Sequence, residues 1–282
     1  MSKYKAMLEF EERLRDEYRQ EFTNEHKIAE ELFNLYIEAT EITSQAWQLK
    51  TDKTATLGLI NRIFNDLHCG FKLLMEGLLV QGMALPRDTI ECAMYIKLFE
   101  VDEEFRREWL EGKNFLVRDV RERMKKNKIS PPPQDKLYRT LCRSYVHPTK
   151  EGLALHVTRR YTKDLSQYTI CRFGGIKDTP RIKLLTSVFL SFTYNTVVFL
   201  WQDIFPIDRE EHPAWHDRMK EVTKSLYEVR VKADQEWQNI LMQQLTTMQS
   251  ILNAEYEAID IEAQQLFNEE WPYEEDLADP DS

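Results

Sequence analysis

The sequence predicts an all-α protein: a helical bundle with long N- and C-terminal helices and a loop-rich insertion around 148–179. Three observations carry that reading. The 282 residues include 8 Gly and 10 Pro, about half the usual share, so few tight turns can be built. The last glycine is Gly175, which leaves 107 residues without one. Apolar residues recur every three or four positions over long stretches, the period of one helix face. At 42% hydrophobic and 30% charged residues the chain can bury a core.

Residues 4–49 read as helix through Tyr4, Met7, Leu8, Leu14, Tyr18, Phe22, Ile28, Leu32 and Tyr36. Thr23 and Asn24 favour caps and are expected to interrupt it. A second helix is expected over 54–83, and Pro86 is placed at the first position of a third, 86–100, where its missing N–H costs nothing. Shorter helices follow at 102–111 and 115–127. Ser130-Pro131-Pro132-Pro133 enforces an extended connector. A short helix, 134–146, must then stop near His147, because Pro148 disfavours helical geometry before it. In 149–179, Leu155–Val157 and Tyr168–Phe173 are short strands or irregular loop. Helix resumes at 180–203, and a last helix covers 214–267, striped by Trp237, Leu241, Leu245, Met248, Leu252, Tyr256 and Ile259. The tail from 268 to 282 has seven acids and no base, and is expected to be disordered. The whole reads as one helical domain, 1–267.

Several functions are excluded early. No P-loop, dinucleotide-binding or nucleophile-elbow glycine motif occurs. Cys69, Cys92, Cys142 and Cys171 are far apart, so they read as small packed hydrophobes in a reducing, cytoplasmic setting. Residues 1–15 are charged and do not resemble a secretory signal. Leu184–Gln202 carries no charge, yet its Ser, Thr and Asn residues mark a buried bundle helix rather than a membrane span. His212 and His216 are four apart, but Pro213 separates them and no third ligand is evident. None of the six histidines has Glu three residues before it, as a ferritin-like di-iron site requires. No metal or other cofactor is expected.

Net charge is −10, unevenly spread. Glu104–Lys183 holds 20 Lys or Arg against 9 acids, a net of +11, and the remainder carries −21. Such a basic centre concentrates field where an anion docks. Arg118, Arg121, Arg123, Lys125, Lys126 and Lys128 lie close together, and Arg159 and Arg160 follow, with Tyr138, Tyr145, Tyr161 and Tyr168 interleaved. Bases plus aromatics offer phosphate contacts and stacking surfaces for a flexible RNA strand. The competing reading is a solvated face paired with acids of the N-terminal helices.

Arg139, Arg143 and His147 are spaced i, i+4, i+8, so on one helix they share a face, drifting about 40° per step. The guanidiniums can hold a phosphodiester while the imidazole moves a proton. The plainer reading is that His147 caps the helix. Arg87 and Glu91, i and i+4 after Pro86, read either as an ordinary ion pair or as a partly buried pair that orients something, with Tyr145 a further supporting residue.

Leu74-Met75-Glu76-Gly77-Leu78, Leu85-Pro86-Arg87-Asp88-Thr89-Ile90-Glu91 and Phe105 to Gly112, together with Leu137-Tyr138 through Val146-His147-Pro148-Thr149, resemble an uncharacterised bacterial helical family grouped with the HEPN superfamily. The resemblance covers about 55–205. It implies similarity to metal-independent ribonucleases of toxin–antitoxin and phage-defence systems, which commonly act as dimers. Their motif is an Arg, usually a polar residue, then a His, with four to six residues between Arg and His. Three residues separate Arg143 from His147 here, and seven separate Arg139 from it. Two functions follow as expectations. One is a HEPN-like RNA-binding protein, in its stronger form a ribonuclease. The other is a non-enzymatic helical protein-interaction module. A homodimer, a protein partner encoded nearby and no membrane complete the reading.

Overall fold

Nine α-helices, one π-helical turn and one two-stranded hairpin make up the described residues. The computed structural model describes 2–47, 53–132, 134–146, 157–161, 167–171 and 177–270, with the backbone alone for 157–161, 167–171, 241 and 244–270. The all-α expectation is met.

Helix α1 (Lys3–Glu21) opens on Ser2, whose Oγ accepts the Lys5 N–H at 3.2 Å. Helix α2 (Thr23–Ala46) starts after a break at Phe22. The break falls where the sequence placed it, but a core residue rather than a cap makes it. Phe22 is fully buried and stacks on Tyr18 at 5.1 Å, while no side chain caps α2.

Helices α3 (Thr54–Met75) and α4 (Leu79–Val101) correct two boundaries. The second helix ends eight residues earlier than expected, and Pro86 lies inside α4 rather than at its start. The reason is Gly77, at φ 75°. Its N–H bonds Leu74 O at 3.0 Å and the Leu78 N–H bonds Leu73 O at 2.8 Å, which closes α3 as a Schellman motif. Pro86 then removes the donor that the Gly82 carbonyl would normally receive. That carbonyl lies against α3: a Cβ at Gly70 would meet it at 3.0 Å and the Phe189 ring at 2.7 Å. The two helices therefore approach backbone to backbone at Gly70 and Gly82.

Helix α5 (Glu103–Leu110) is capped by Asp102, whose Oδ1 accepts the Phe105 N–H at 2.9 Å. Helix α6 (Val117–Lys126) ends with Lys128 at φ 57°, a left-handed conformation unusual for a residue with a Cβ. Helix α7 (Asp135–Leu141) passes into a π turn, Cys142–Val146. Strands β1 (Val157–Tyr161) and β2 (Gln167–Cys171) pair antiparallel, Val157 opposite Cys171 and Tyr161 opposite Gln167. They settle the choice between strand and loop in favour of a hairpin, slightly offset from the expected segments.

Helix α8 (Thr179–Asp203) is capped by Asp178 and packs on α2, α3 and α4. It alone among the described helices is long and apolar enough to cross a membrane, and just over half of its most apolar stretch is buried. The hydroxyls of Ser187, Ser191, Thr193 and Thr196 donate to carbonyls three or four residues back in their own helix, so they enter the core at little cost. Helix α4 is the hub, touching α3, α5, α6, α7, the π turn and α8.

Helix α9 (Pro213–Glu270) begins in one compact unit, Met1–Asp234, and ends in a second, Gln235–Ser282. Trp215 anchors its start by donating from Nε1 to Leu35 O at 3.0 Å. It runs three residues past the expected end, so 268–270 are helical. The rest of the acidic tail, 271–282, lies outside the described residues.

Candidate functional site

Burial of α4 on most sides sets up the polar centre of the first unit. Arg87 and Glu91, one turn apart on α4, pair at 2.6 Å (Nη2 to Oε1) and are 30% and 22% exposed. Tyr138 of α7 completes the group. Its hydroxyl donates to Glu91 Oε1 at 2.7 Å and accepts from Arg87 Nε at 3.2 Å. Burial, then the Glu91 carboxylate, raises the Tyr138 phenol well above its ordinary range, and Arg87 opposes them. The triangle is closed, each polar group satisfying another. It ties α7 to α4, so the pair is partly buried and shared with a second helix.

Carboxylates extend the centre on either side. Asp88 accepts from Arg62 of α3 at 2.9 Å and lies 3.8 Å from Arg87 Nη1. Asp66 Oδ2 is 3.9 Å from Arg62 Nε but is buried without a hydrogen bond. Burial and then the charge of Asp88 push the Asp66 carboxyl up to about 6, against the pull of Arg62. Nearby Cys92 is buried, and burial pushes its thiol up to about 12, so it is an inert core residue.

The basic run divides in two. Arg121 gives Nη2 and Nε to Asp135 Oδ1 at 2.6 and 3.2 Å and lies over the Tyr138 ring at 4.7 Å. Arg123 gives Nε to Asp102 at 2.7 Å and Nη2 to Glu104 at 3.0 Å, with Glu108 at 3.7 Å. The Arg123 bond, with the Phe105 N–H and Asn127, holds the Asp102 carboxyl well below the usual carboxylate range despite burial. These two arginines are scaffold, paired with acids beside them rather than with the N-terminal helices. Lys125, Lys126, Lys128 and Arg139 are instead exposed, with no ion pair among the described residues. Arg118 is exposed beside Asp119 at 3.6 Å. The Arg121 contacts tie α6 to α7, the two elements that carry or border these exposed cations.

The Arg139–Arg143–His147 set spans two elements where it can be followed. Arg139 is in α7 and Arg143 in the π turn, so they do not belong to one regular α-helix. Arg143 is exposed and engaged in an interaction, and His147 lies outside the described residues. Tyr145 is half-buried in the π turn, and burial raises its phenol against the charge of Arg181. Arg159 and Arg160 occupy β1 opposite Thr169 and Tyr168.

No group of three or more potential metal ligands occurs among the described residues. His216 is buried against Trp201 and Trp215, at 5.1 and 5.3 Å between ring centroids, so it is a core aromatic. Cys69 is exposed, contrary to the packed role expected of it. Sequence reading missed the partners: Asp102, Asp135 and the bridging Tyr138. Asp102 was legible as an N-cap before Glu103-Glu104-Phe105, but nothing local tied it to Arg123, 21 residues away. No protein-family model matches the chain, no curated protein matches it, and no solved structure matches it.

Proposed function

We propose that the α6–α7 surface engages RNA through the phosphate backbone, as in a HEPN-like RNA-binding protein. One observation carries this: Lys125 and Lys126 of α6, Lys128 just after it and Arg139 of α7 are exposed with no ion pair among the described residues, while Arg121 and Arg123 of α6 are paired with carboxylates. A protein of net charge −10 that leaves such cations exposed and without an ion pair among the described residues offers them to a polyanion. In the catalytic form of the proposal, His147 moves the proton of the attacking ribose 2′-hydroxyl, Arg143 or Arg139 stabilises the phosphorane charge, and no metal is required.

Anisotropy of labelled single-stranded RNA across a salt series tests it. Arg139→Ala should weaken binding and reduce the salt slope by about 0.7, the value of one phosphate contact on a single strand. His147→Ala should leave binding nearly intact and lower cleavage by about 10²-fold or more. Cleavage should persist in EDTA and leave a 2′,3′-cyclic phosphate. Absence of RNA binding by the wild-type chain at low salt overturns the proposal.

A second reading rests on α9. Trp237, Leu241, Leu245, Met248, Leu252, Tyr256 and Ile259 repeat at spacings of four, four and three, an 11-residue period suited to a nearly straight helical seam. This reading makes the chain an interaction module that pairs through α9, a second copy being the simplest partner. Light scattering should then give twice the 33.7 kDa of the chain, and a monomer at all concentrations would remove it.

A further inference from the structure

The strongest unassigned feature lies in the acid-rich N-terminal part of the chain. A cavity of about 470 Å³ opens between α1, α2 and α3, within the size range of small-molecule sites. Its apolar wall is aromatic: Phe33 and Phe71 meet at 6.2 Å, edge to face, with Met75 beside them. His68 adds to this wall, edge-on to Phe33 at 5.6 Å and stacked on Phe64 at 5.8 Å.

Four cations line the same cavity: Arg15, Arg19, Lys27 and Lys72. Arg15 is held by Glu12 and Glu76, both at 3.4 Å. Arg19, Lys27 and Lys72 are exposed and have no ion pair among the described residues. Glu30 is the one acid in the lining. Three cations from three helices thus line one aromatic wall beside a single acid, an excess of positive charge that favours an anion there.

His26 supplies a further indication. Its ring packs edge-on to Phe71 at 5.2 Å, and its Nε2 is buried with no hydrogen-bond partner. Burial, reinforced by Arg19, lowers the pKa of His26; burial, reinforced by Lys72, lowers that of His68. Neutral imidazoles here serve as stacking and hydrogen-bonding surfaces rather than as additional cations.

We propose that the cavity between α1, α2 and α3 binds a small aromatic phosphate: a flat ring against Phe33, Phe71 and His68, with its phosphate monoester held by Arg19, Lys27 and Lys72. The ring matches the wall in shape and polarisability. A phosphate dianion matches three unpaired cations better than a single carboxylate does. The site is independent of the α6–α7 surface and shares none of its residues.

Calorimetric titration of the full chain at low salt tests this with four probes: adenosine monophosphate, phenyl phosphate, adenosine and inorganic phosphate. Both aromatic phosphates should bind at least about tenfold more tightly than adenosine or inorganic phosphate, since each of the latter makes half the contacts. Tighter binding of the nucleotide than of phenyl phosphate assigns a nucleoside as the ring; equal binding assigns an unelaborated aromatic ring. The double variant Arg19→Ala, Lys72→Ala alters exposed side chains and should keep the wild-type melting curve. It should lose about tenfold or more in affinity for either aromatic phosphate. Arg139→Ala should change that affinity less than twofold. The proposal is overturned if inorganic phosphate binds as tightly as the aromatic phosphates, or if the double variant binds like wild type.

Discussion

The α4–α6–α7 centre and the α1–α2–α3 cavity invert what their local charge leads one to expect. The first draws Arg121 and Arg123 from the segment of net +11 and Arg62 and Arg87 from outside it, yet each of these four cations is matched by a carboxylate within hydrogen-bonding distance. The second lies in the acidic remainder, yet three of its cations stand unpaired around an aromatic wall. Counting charge along a chain therefore ranks these regions by composition, whereas affinity for an anion depends on how many cations remain after internal pairing. Pairing neutralises Arg121 and Arg123 and makes them structural; its absence leaves Arg19, Lys27 and Lys72 available.

The sharpest way to break the comparison is to free a paired cation. Asp102→Ala removes the N-cap of α5 and the bonds from Arg123 and Asn127. Together these changes should cost about 2–4 kcal/mol, read as a lower urea midpoint at unchanged m. Arg123, released from its closest partner, should at the same time steepen the salt dependence of RNA binding. A loss below about 0.5 kcal/mol would mean that the network is a surface feature and that the two regions do not differ in kind.

Asp66 gives a smaller effect with a definite sign. Its carboxyl is raised to about 6 in the folded protein, against about 3.9 in an unfolded chain. The folded state holds this proton more tightly, so the favourable contribution is complete below pH about 4 and is lost as pH rises through about 6. Asp66→Asn should therefore gain on the wild type by about 1–2 kcal/mol between pH 4 and pH 7, in paired denaturation curves. A difference that does not vary with pH would show that Arg62 already satisfies the carboxylate.

The smallest effect concerns the end of α6. Lys128 adopts φ 57° to let Ile129 N–H reach Met124 O at 2.9 Å. Lys128→Gly relieves the Cβ strain but adds freedom to the unfolded chain, so the net gain should be about 0.5 kcal/mol in thermal unfolding. The same change removes an exposed cation, so RNA affinity should fall while stability rises. Joint loss of both would place Lys128 among the structural cations.

Helix type and approximate limits were legible because they depend on neighbours within four residues. The break after Phe22 falls beside the Thr23-Asn24 pair, and α9 starts at Pro213, one residue before the expected 214. The α3–α4 boundary was legible too, in Gly77, but Pro86 is the louder breaker and drew the start of α4 seven residues too late. The basic residues could be counted, though not sorted: Arg121 and Arg123 look like Lys125 and Lys126 in the sequence, and only Asp135 and Asp102, folded against them, tell the two pairs apart.

By itself, then, the sequence determined the helical architecture and the location of the excess positive charge, because each depends on local propensity and composition. The tertiary structure decided which charges are satisfied. Ion pairing falls off over a few ångströms, and the carboxylates that hold Arg121, Arg123 and Arg62 lie 14 to 26 residues away along the chain, from Arg121–Asp135 to Arg62–Asp88. It also decided that His26, Phe33, His68 and Phe71, from two helices, line one cavity. Helical period assigns each of them a face, and only packing fixes which faces meet.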